Sequence, residues 1–298
     1  MNRARRFSVI VASFNAPVTL ERCLESLVEQ VGEEGEIIVA DCSDEDPRRS
    51  LRRALEGVQF LRFEKRLTIP EMRREALRRA AGEILLLTEA RLVPSKTWAA
   101  ELLRAHQNHP QSPAIGGPID SVPRSAFDAA VFLCEYGWHM PPAADGECTE
   151  LSGANLSYKR WALLECWDLV EAGAWEPFLH RRLEQKGYRL RRAGRAIVTY
   201  QNSLTVSQFL RQRFHYGRWF AAARVAGTGP LRRLAYALFS PLLPLLLTCR
   251  LARVAANRGR SALLARALPW VLFSQTMWSA GEFCGYLAGK GASDREVF

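Results

Sequence analysis

The 298-residue sequence contains no uncharged apolar run of the ~20 residues that a straight membrane-spanning helix needs. Its two longest apolar stretches without charge, Leu234 to Cys249 and Ala267 to Gly281, both fall short of that length. Cysteine is sparse: seven residues, at 23, 42, 134, 148, 166, 249 and 284, form no C-x-x-C pair and read as reduced, mostly buried thiols. The five histidines do not cluster with them, and His106 with His109 reads as a solvated pair on one helix face. MNRARRF leads only into the short apolar run SVIVASF, too little for a signal-peptide core, so a cytoplasmic catalytic part is expected. No internal repeat and no low-complexity tract is present.

What is there is an apolar, basic chain. Hydrophobic residues make up 48%, compatible with a sizeable core and one large domain with or without an appendage. The net charge is +10, and 227–298 alone holds nine Lys and Arg against three Asp and Glu. A basic tail suits nucleic acid or anionic lipid, and the charge-free runs within it decide for membrane and against nucleic acid. Between those runs lie Arg250, Arg253, Arg258, Arg260 and Arg266 with no acid, a segment that resists translocation. Two readings follow: a re-entrant or interfacial helix pair that keeps the arginines on the cytoplasmic side, which is favoured, or a spanning hairpin. Pro241 and Pro244 favour a kink in the first run.

Along the chain, Phe7 to Phe14 reads as a strand, and Leu20, Cys23, Leu24, Leu27 and Val28 form the stripe of a following helix that Thr19 caps. Glu36 to Asp41 is a second strand, Pro47 to Glu56 a helix, Val58 to Phe63 a third strand and Pro70 to Ala81 a helix opened by proline. Gly82 to Trp98, GEILLLTEARLVPSKTW, is a buried strand that ends in Glu89, Ala90 and Arg91, where a site is expected in an open α/β sheet. Further helices are expected over Trp98 to Asn108, from Lys159, from the Trp175-Glu176-Pro177 step to Lys186 and over Val206 to Arg224. The stretch to Gly146 reads as irregular and Val198 to Asn202 as a last strand. The first turn carries Ala12-Ser13-Phe14-Asn15 in place of G-x-G-x-x-G, which disfavours a dinucleotide dehydrogenase. Phe14 and Asp41, at adjacent strand ends, suit stacking on and hydrogen-bonding a nucleobase; alternatively Phe14 is a core aromatic and Asp41 a cap.

In order, SVIVASFN, EIIVADCSDED, IPEMRREALRRAAGEILLL, TEARLVPSKTW, GGP, SGANLSYKR, WEPFLHRRLEQKG and RQRFHYGRW resemble the family 2 glycosyltransferases over about Phe7 to Arg224. The resemblance implies a GT-A fold, α/β with a Rossmann-like doubly wound mixed sheet, here over 1–226, with membrane-associated helices over 227–298. It implies a nucleotide-sugar donor over Ala12, Ser13, Phe14, Asn15 and Asp41, with Arg73 near the phosphates. The family's D-x-D metal motif falls on Glu89 and Arg91, so its second acid is absent. The implied cofactor is a divalent cation, Mg or Mn, with Glu89 as its remaining ligand, but arginine cannot bind that cation and would repel it. Arg91 is then expected to replace part of the metal's charge toward phosphate. The catalytic base falls on Glu176, eleven residues before Gly187, with Trp175 in a partner acid's place; its other reading is a first-turn Glu favoured by the helix dipole.

Gly153 and Asn155 fall in the segment that borders donor sugar and acceptor, with Glu135 and Tyr136 nearby. Arg218 and Trp219 match part of a Q-x-x-R-W element and are acceptor contacts or interfacial anchors. The implied function is transfer of a sugar, with inversion, to a lipid-linked or polysaccharide acceptor at the cytoplasmic membrane face, as in polysaccharide biosynthesis. The alternative is a catalytically degenerate nucleotide-sugar-binding or scaffold subunit.

Overall fold

The computed structural model describes residues 5–51, 57–293 and 296. The chain divides into two compact units, Met1–Val122 with His139–Gln201, and Pro123–Trp138 with Asn202–Phe298. The division thus falls at 201/202 rather than at 226, and a short inner segment goes with the C-terminal unit.

Eleven described strands build the first unit: β1 (Phe7–Ser13), β2 (Gly35–Asp41), β3 (Val58–Arg62), β4 (Ile84–Glu89), β5 (Leu92–Pro94), β6 (Ala114–Gly116), β7 (Ile119–Ser121), β8 (Gly146–Cys148), β9 (Leu156–Lys159), β10 (Leu190–Arg192) and β11 (Val198–Tyr200). Eight form one sheet in the order β3-β2-β1-β4-β9-β6-β10-β8, and β5-β11-β7 form a second. β3, β2, β1 and β4 run parallel, and β9 runs antiparallel to both β4 and β6. β1 and β2 are buried along their whole length, which is why they read as unbroken apolar runs. Chain order reverses between β1 and β4, and the crevice beyond such strand ends is where open α/β sheets bind ligands. The register sets Ser13 against Asp41 and Ala12 against Glu89, so one strand end meets both expected acids.

The helix Pro17–Val31 buries Leu20, Cys23, Leu24 and Leu27 against this sheet, but its stripe continues to Val31. Val28 is exposed, because the buried face drifts around the helix by a residue. Pro17 opens the helix and no side chain caps it; the Thr19 hydroxyl donates back to the Ala16 carbonyl at 3.2 Å. The next full helix is Ile69–Leu77, started by a capping box between Thr68 and Glu71 and shorter than expected. Over 47–56, Pro47–Arg49 is a 3-10 turn, and 52–56 lie outside the described residues. Trp98–Asn108 is helical as expected; His106, read as solvated, is buried and bonded to the Ser157 hydroxyl at 2.8 Å.

The second unit is helical among its described residues. Ala126–Tyr136, expected to be irregular, is a helix capped by Ser125, whose hydroxyl accepts from the Asp128 amide at 3.0 Å. Val206–Arg224 follows, then Pro230–Phe239, a 3-10 turn over Ser240–Leu242, Leu243–Asn257 and Ser261–Ala288. Pro241 lies in the 3-10 turn and Pro244 just beyond it, where a break was expected.

The 28-residue helix Ser261–Ala288 buries Gln275 and Glu282. Arg213 bridges to Gln275 at 3.2 Å and to Glu135 at 3.3 Å, and Trp278 Nε1 donates to Glu282 at 2.7 Å. This helix contains the second apolar run, Ala267 to Gly281, and buries one face of it (Ala267, Val271, Ser274, Gln275, Ser279 and Gly281) while Leu268, Leu272 and Phe273 stay exposed. Pro230–Asn257 is the one stretch among the described residues long and apolar enough to cross a membrane.

Candidate active site

Three ionic side chains meet at the carboxyl end of the first unit's sheet. Arg73 stands on the second turn of the helix Ile69–Leu77, Glu89 ends β4, and Glu176 is the first residue of the helix Glu176–Gln185. Arg73 Nη1 donates to Glu176 Oε1, while Arg73 Nη2 reaches Glu89 Oε1 at 3.0 Å and the Gly153 carbonyl at 2.9 Å. Arg73 and Glu176 are buried and Glu89 is half-buried. Burial works against the charge on Arg73, but Glu176 and then Glu89 outweigh it and hold the guanidinium above its ordinary range. One guanidinium thus faces two carboxyl groups in a setting where charges interact strongly.

Gly153 closes the cluster from the loop before β9. A Cβ there would stand 2.5 Å from Glu176 Cδ and 2.6 Å from Arg73 Nη1, so the backbone approaches the ion pair as only glycine allows. Asn155, expected to border the acceptor, is fully buried: its oxygen accepts from Trp98 Nε1 at 2.8 Å, and its nitrogen donates to Pro118 and Ala196 carbonyls at 2.8 and 2.7 Å. It therefore holds the Gly153 loop in place instead of offering its amide to a substrate. Behind Glu176, one turn along the same helix, His180 shares a 2.8 Å hydrogen bond with the Tyr158 hydroxyl. Burial lowers the His180 pKa to about 4 and pushes Tyr158 well up, so this pair stays neutral beside the ions.

The other end of the crevice is built around Asp41. It is 1% exposed, accepts from the Ser43 hydroxyl at 2.7 Å and amide at 3.1 Å, and is ion-paired with Arg62. Asp41 thus ties the Ser43 turn to the end of β3 as part of an ion pair. Asn15 has φ 46°, the one positive φ among described non-glycine residues, and exchanges hydrogen bonds with Asp44 at 2.7 and 3.0 Å. Phe14 is half-buried, with the Arg66 guanidinium 4.7 Å from its ring centre. Ser13 and Ala12 are buried in β1, and the Ser13 hydroxyl finds no hydrogen-bond partner.

Sequence reading missed Arg62, Arg66, Tyr158 and His180. Arg62 was within reach: it ends β3 directly across from Asp41, and opposite charges at paired strand ends are a legible signal. Arg91, expected beside Glu89, follows β4, and its carbonyl accepts from the Gln201 amide at 2.9 Å. The 3.0 Å ion pair to Glu89 comes from Arg73. Arg218 and Trp219 belong to the second unit, where Arg218 Nε donates to the Gly289 carbonyl at 2.9 Å; Glu135 lies in the same unit, paired with Arg213.

On the protein side, the residues present offer a divalent cation one acid of the expected motif, Glu89. No group of three or more His, Cys, Asp or Glu among the described residues could hold one. Glu89, the remaining acid of the expected motif, is ion-paired with a buried guanidinium, and hard cations require several oxygen ligands.

Over 105 residues the chain is 33% identical to the uncharacterized glycosyltransferase YfnE of Bacillus subtilis, a match covering 34% of this chain and 27% of that protein. The chain therefore spans about a quarter of that relative's length. Among solved structures it resembles the mannosyltransferase PcManGT from Pyrobaculum calidifontis, in complex with GDP-Man and Mn2+, with TM-score 0.58 and 18% identity over 96% of this chain and 88% of that one. It also resembles GalNAc-T7 with UDP, GalNAc and Mn2+, with TM-score 0.50 and 16% identity over 67% of this chain and 44% of that one. At these identities the likeness is one of fold, an α/β architecture with a mixed central sheet matching the GT-A glycosyltransferases. Residues 8–128, which include β1 to β4 with Arg73 and Glu89, carry the match to the family model described as Glycosyl transferase family 2.

Proposed function

We propose that the protein is a glycosyltransferase that moves a sugar from a nucleoside-diphosphate donor to a hydroxyl of a lipid-linked or glycan acceptor, with inversion, at the cytoplasmic membrane face. The observation that carries this reading is the convergence of Glu89, Arg73 and Glu176 where chain order reverses. The base end of the donor lies along Phe14 and the Asp41–Arg62 pair, and its diphosphate toward Arg73. Glu176 takes the proton from the acceptor hydroxyl as that oxygen bonds to the anomeric carbon. The bond from that carbon to the diphosphate breaks on the opposite face, and the leaving oxygen keeps the electron pair. Positive charge near that oxygen stabilises it as it departs; Arg91, beside Glu89 in sequence, is assigned to this end of the donor.

The membrane part of the reading rests on Pro230–Asn257, where Leu238 and Leu245 are 72% and 66% exposed. Arg250, Arg253 and Arg258 near its end suit an anionic lipid surface, and the helix embeds without crossing. Gly153 with its loop is assigned to the acceptor side.

A second reading, a nucleotide-sugar-binding subunit without turnover, is favoured by one fact: both carboxylates are occupied by one guanidinium. Incubation with UDP- and GDP-sugars separates the two, since a transferase leaks sugar to water. Wild-type hydrolysis that disappears in Glu176→Gln, with nucleotide binding retained, supports transfer. Nucleotide binding without hydrolysis by the wild type supports the second reading.

A further inference from the structure

The helix Ser261–Ala288 buries side chains that a helix in water would expose and exposes side chains that it would bury. Ser274, Gln275, Ser279, Glu282 and Tyr286 are on its buried side, while Leu268, Leu272, Phe273, Phe283 and Leu287 stay exposed, Phe273 by 48% and Leu287 by 54%. Leu268, Leu272, Phe283 and Leu287 recur at helical spacing and share one face. That face carries no charge between Leu268 and Leu287, since the single charged residue of the interval, Glu282, is buried. Thr276, also exposed, donates its hydroxyl to the Leu272 carbonyl of its own helix at 2.9 Å and so needs no solvent partner. On the inner side Gln275 accepts from Arg213 at 3.2 Å, Ser279 donates to the Ser240 carbonyl at 2.6 Å, and Glu282 accepts from Trp278 Nε1 and the Tyr286 hydroxyl at 2.7 and 2.5 Å. Gly281 and Gly285 let this backbone meet that of Val206–Arg224: a Cβ on them would stand 2.0 and 2.3 Å from the Phe214 and Arg218 carbonyls, respectively.

We infer that the exposed face of Ser261–Ala288 lies against lipid acyl chains, so that both hydrophobic segments of the second unit, and not Pro230–Asn257 alone, contact the membrane. The inference rests on the membrane part of the reading above and extends it to a helix that overall composition does not single out, because much of its polarity is turned inward. Surroundings without water require polar groups to be satisfied inside the protein, and helices that pack there approach through small residues. Gln275, Ser279 and Glu282 meet the first condition, and Gly281 and Gly285 the second. A protein partner does not match this face: protein interfaces carry a polar rim and about one hydrogen bond per 100–200 Å2. Between Leu268 and Leu287 the face has no charge, and its Thr276 hydroxyl is already used. Charge selects the lipid. From Asn202 to Gly281 the chain holds eleven Arg and no Asp or Glu. Arg232, Arg233, Arg250, Arg253 and Arg266, all exposed, flank the apolar stretches and suit anionic headgroups.

The test is photolabelling of the full-length protein in vesicles of phosphatidylethanolamine and phosphatidylglycerol that carry a phospholipid with a diazirine in its acyl chain. Adducts are mapped by mass spectrometry. They are expected on the set Leu268, Leu272, Phe273, Phe283 and Leu287 as well as on Leu238, Leu242 and Leu245, and not on the buried Val271. Adducts within Pro230–Asn257 alone overturn the inference and leave the membrane reading standing, whereas adducts on neither helix overturn both. Leu272→Gln combined with Phe283→Gln is expected to lower flotation with the same vesicles several-fold. Flotation equal to that of the wild type overturns the inference. Gel filtration without lipid tests a second copy of the chain as the occupant. Wild-type association that the double variant abolishes, with no acyl-chain adducts on the face, makes it an interface between copies and overturns the lipid assignment. If the double variant does not fold, the wild-type adducts decide. Nucleotide binding enters none of these measurements, so they stand apart from the assignment of the first unit.

Discussion

The indole nitrogen of Trp98 donates to the side-chain oxygen of Asn155 at 2.8 Å in the interior of the first unit. Trp98 opens a helix that follows β5, and Asn155 lies two residues after the glycine that closes on Glu176 and Arg73. The hydrogen bond therefore connects the end of the Gly82 to Trp98 stretch to the loop that seals the ion cluster. Asn155→Ala would leave the Trp98 nitrogen and the Pro118 and Ala196 carbonyls without this partner. A loss of about 2–4 kcal/mol in unfolding free energy is expected, read by urea denaturation. A loss below about 0.5 kcal/mol would mean that the loop is held by something else.

Phe14 is predicted to carry base stacking that does not discriminate between nucleotides. Phe14→Ala is expected to weaken UDP and GDP by similar factors of about tenfold, because every base offers a π-face. The measurement is calorimetric titration of both nucleotides. A loss confined to one of them would assign Phe14 to base selection, and no loss would return it to the core.

His180 makes stability depend on acid. Burial lowers its pKa from 6.5 to about 4, so between those values the unfolded chain binds a proton that the folded chain refuses. Stability consequently falls as pH drops from 6.5 toward 4, by at most about 1.4 kcal/mol per pH unit from this group, and its contribution does not change above that window. His106, lowered by burial to about 3, adds a fall of the same sign that extends further into acid. His180→Gln is expected to shallow the acid limb of the wild-type profile, compared by urea unfolding at about pH 4.5 and 7. A wild-type-to-variant difference independent of pH would show that His180 is not held neutral.

The exposed leucines of Pro230–Asn257 predict a membrane contact. Replacing Leu238 and Leu245 with Gln is expected to reduce co-flotation with vesicles containing anionic lipid several-fold, with little effect on unfolding of the first unit. Added salt is expected to weaken wild-type flotation, through the arginines near the end of that helix. Full flotation of the double variant would place the contact elsewhere.

Much of the first unit was legible in residue order. β1, β2 and β4 are apolar runs because both their faces are covered, and Trp98–Asn108 shows its limits through helical periodicity, as does Val206–Arg224 in the second unit, with the Thr205 cap. Ala126–Tyr136 escaped because it is apolar around most of its circumference and shows little periodicity; Ser125 three residues before Asp128 was the available sign. The family resemblance led to the expectation that Glu89 and Glu176 share a site, and the structure brings both to Arg73.

Local pattern thus determined the long strands β1 to β4, several of the helices and the absence of a second acid after Glu89, all of which depend on neighbours close in sequence, whereas the three- and four-residue strands β6 to β10 carry too little pattern to be read. Only the tertiary structure brought Arg73 to Glu89 and Glu176. Arg73 is separated from Glu89 by 16 positions, from Gly153 by 80 and from Glu176 by 103. No local rule brings Arg73 to these acids. The meeting is set by where the helix Ile69–Leu77 sits against β1 and β2, by the close approach of Gly153, and by the cost of burying a carboxylate without a positive partner.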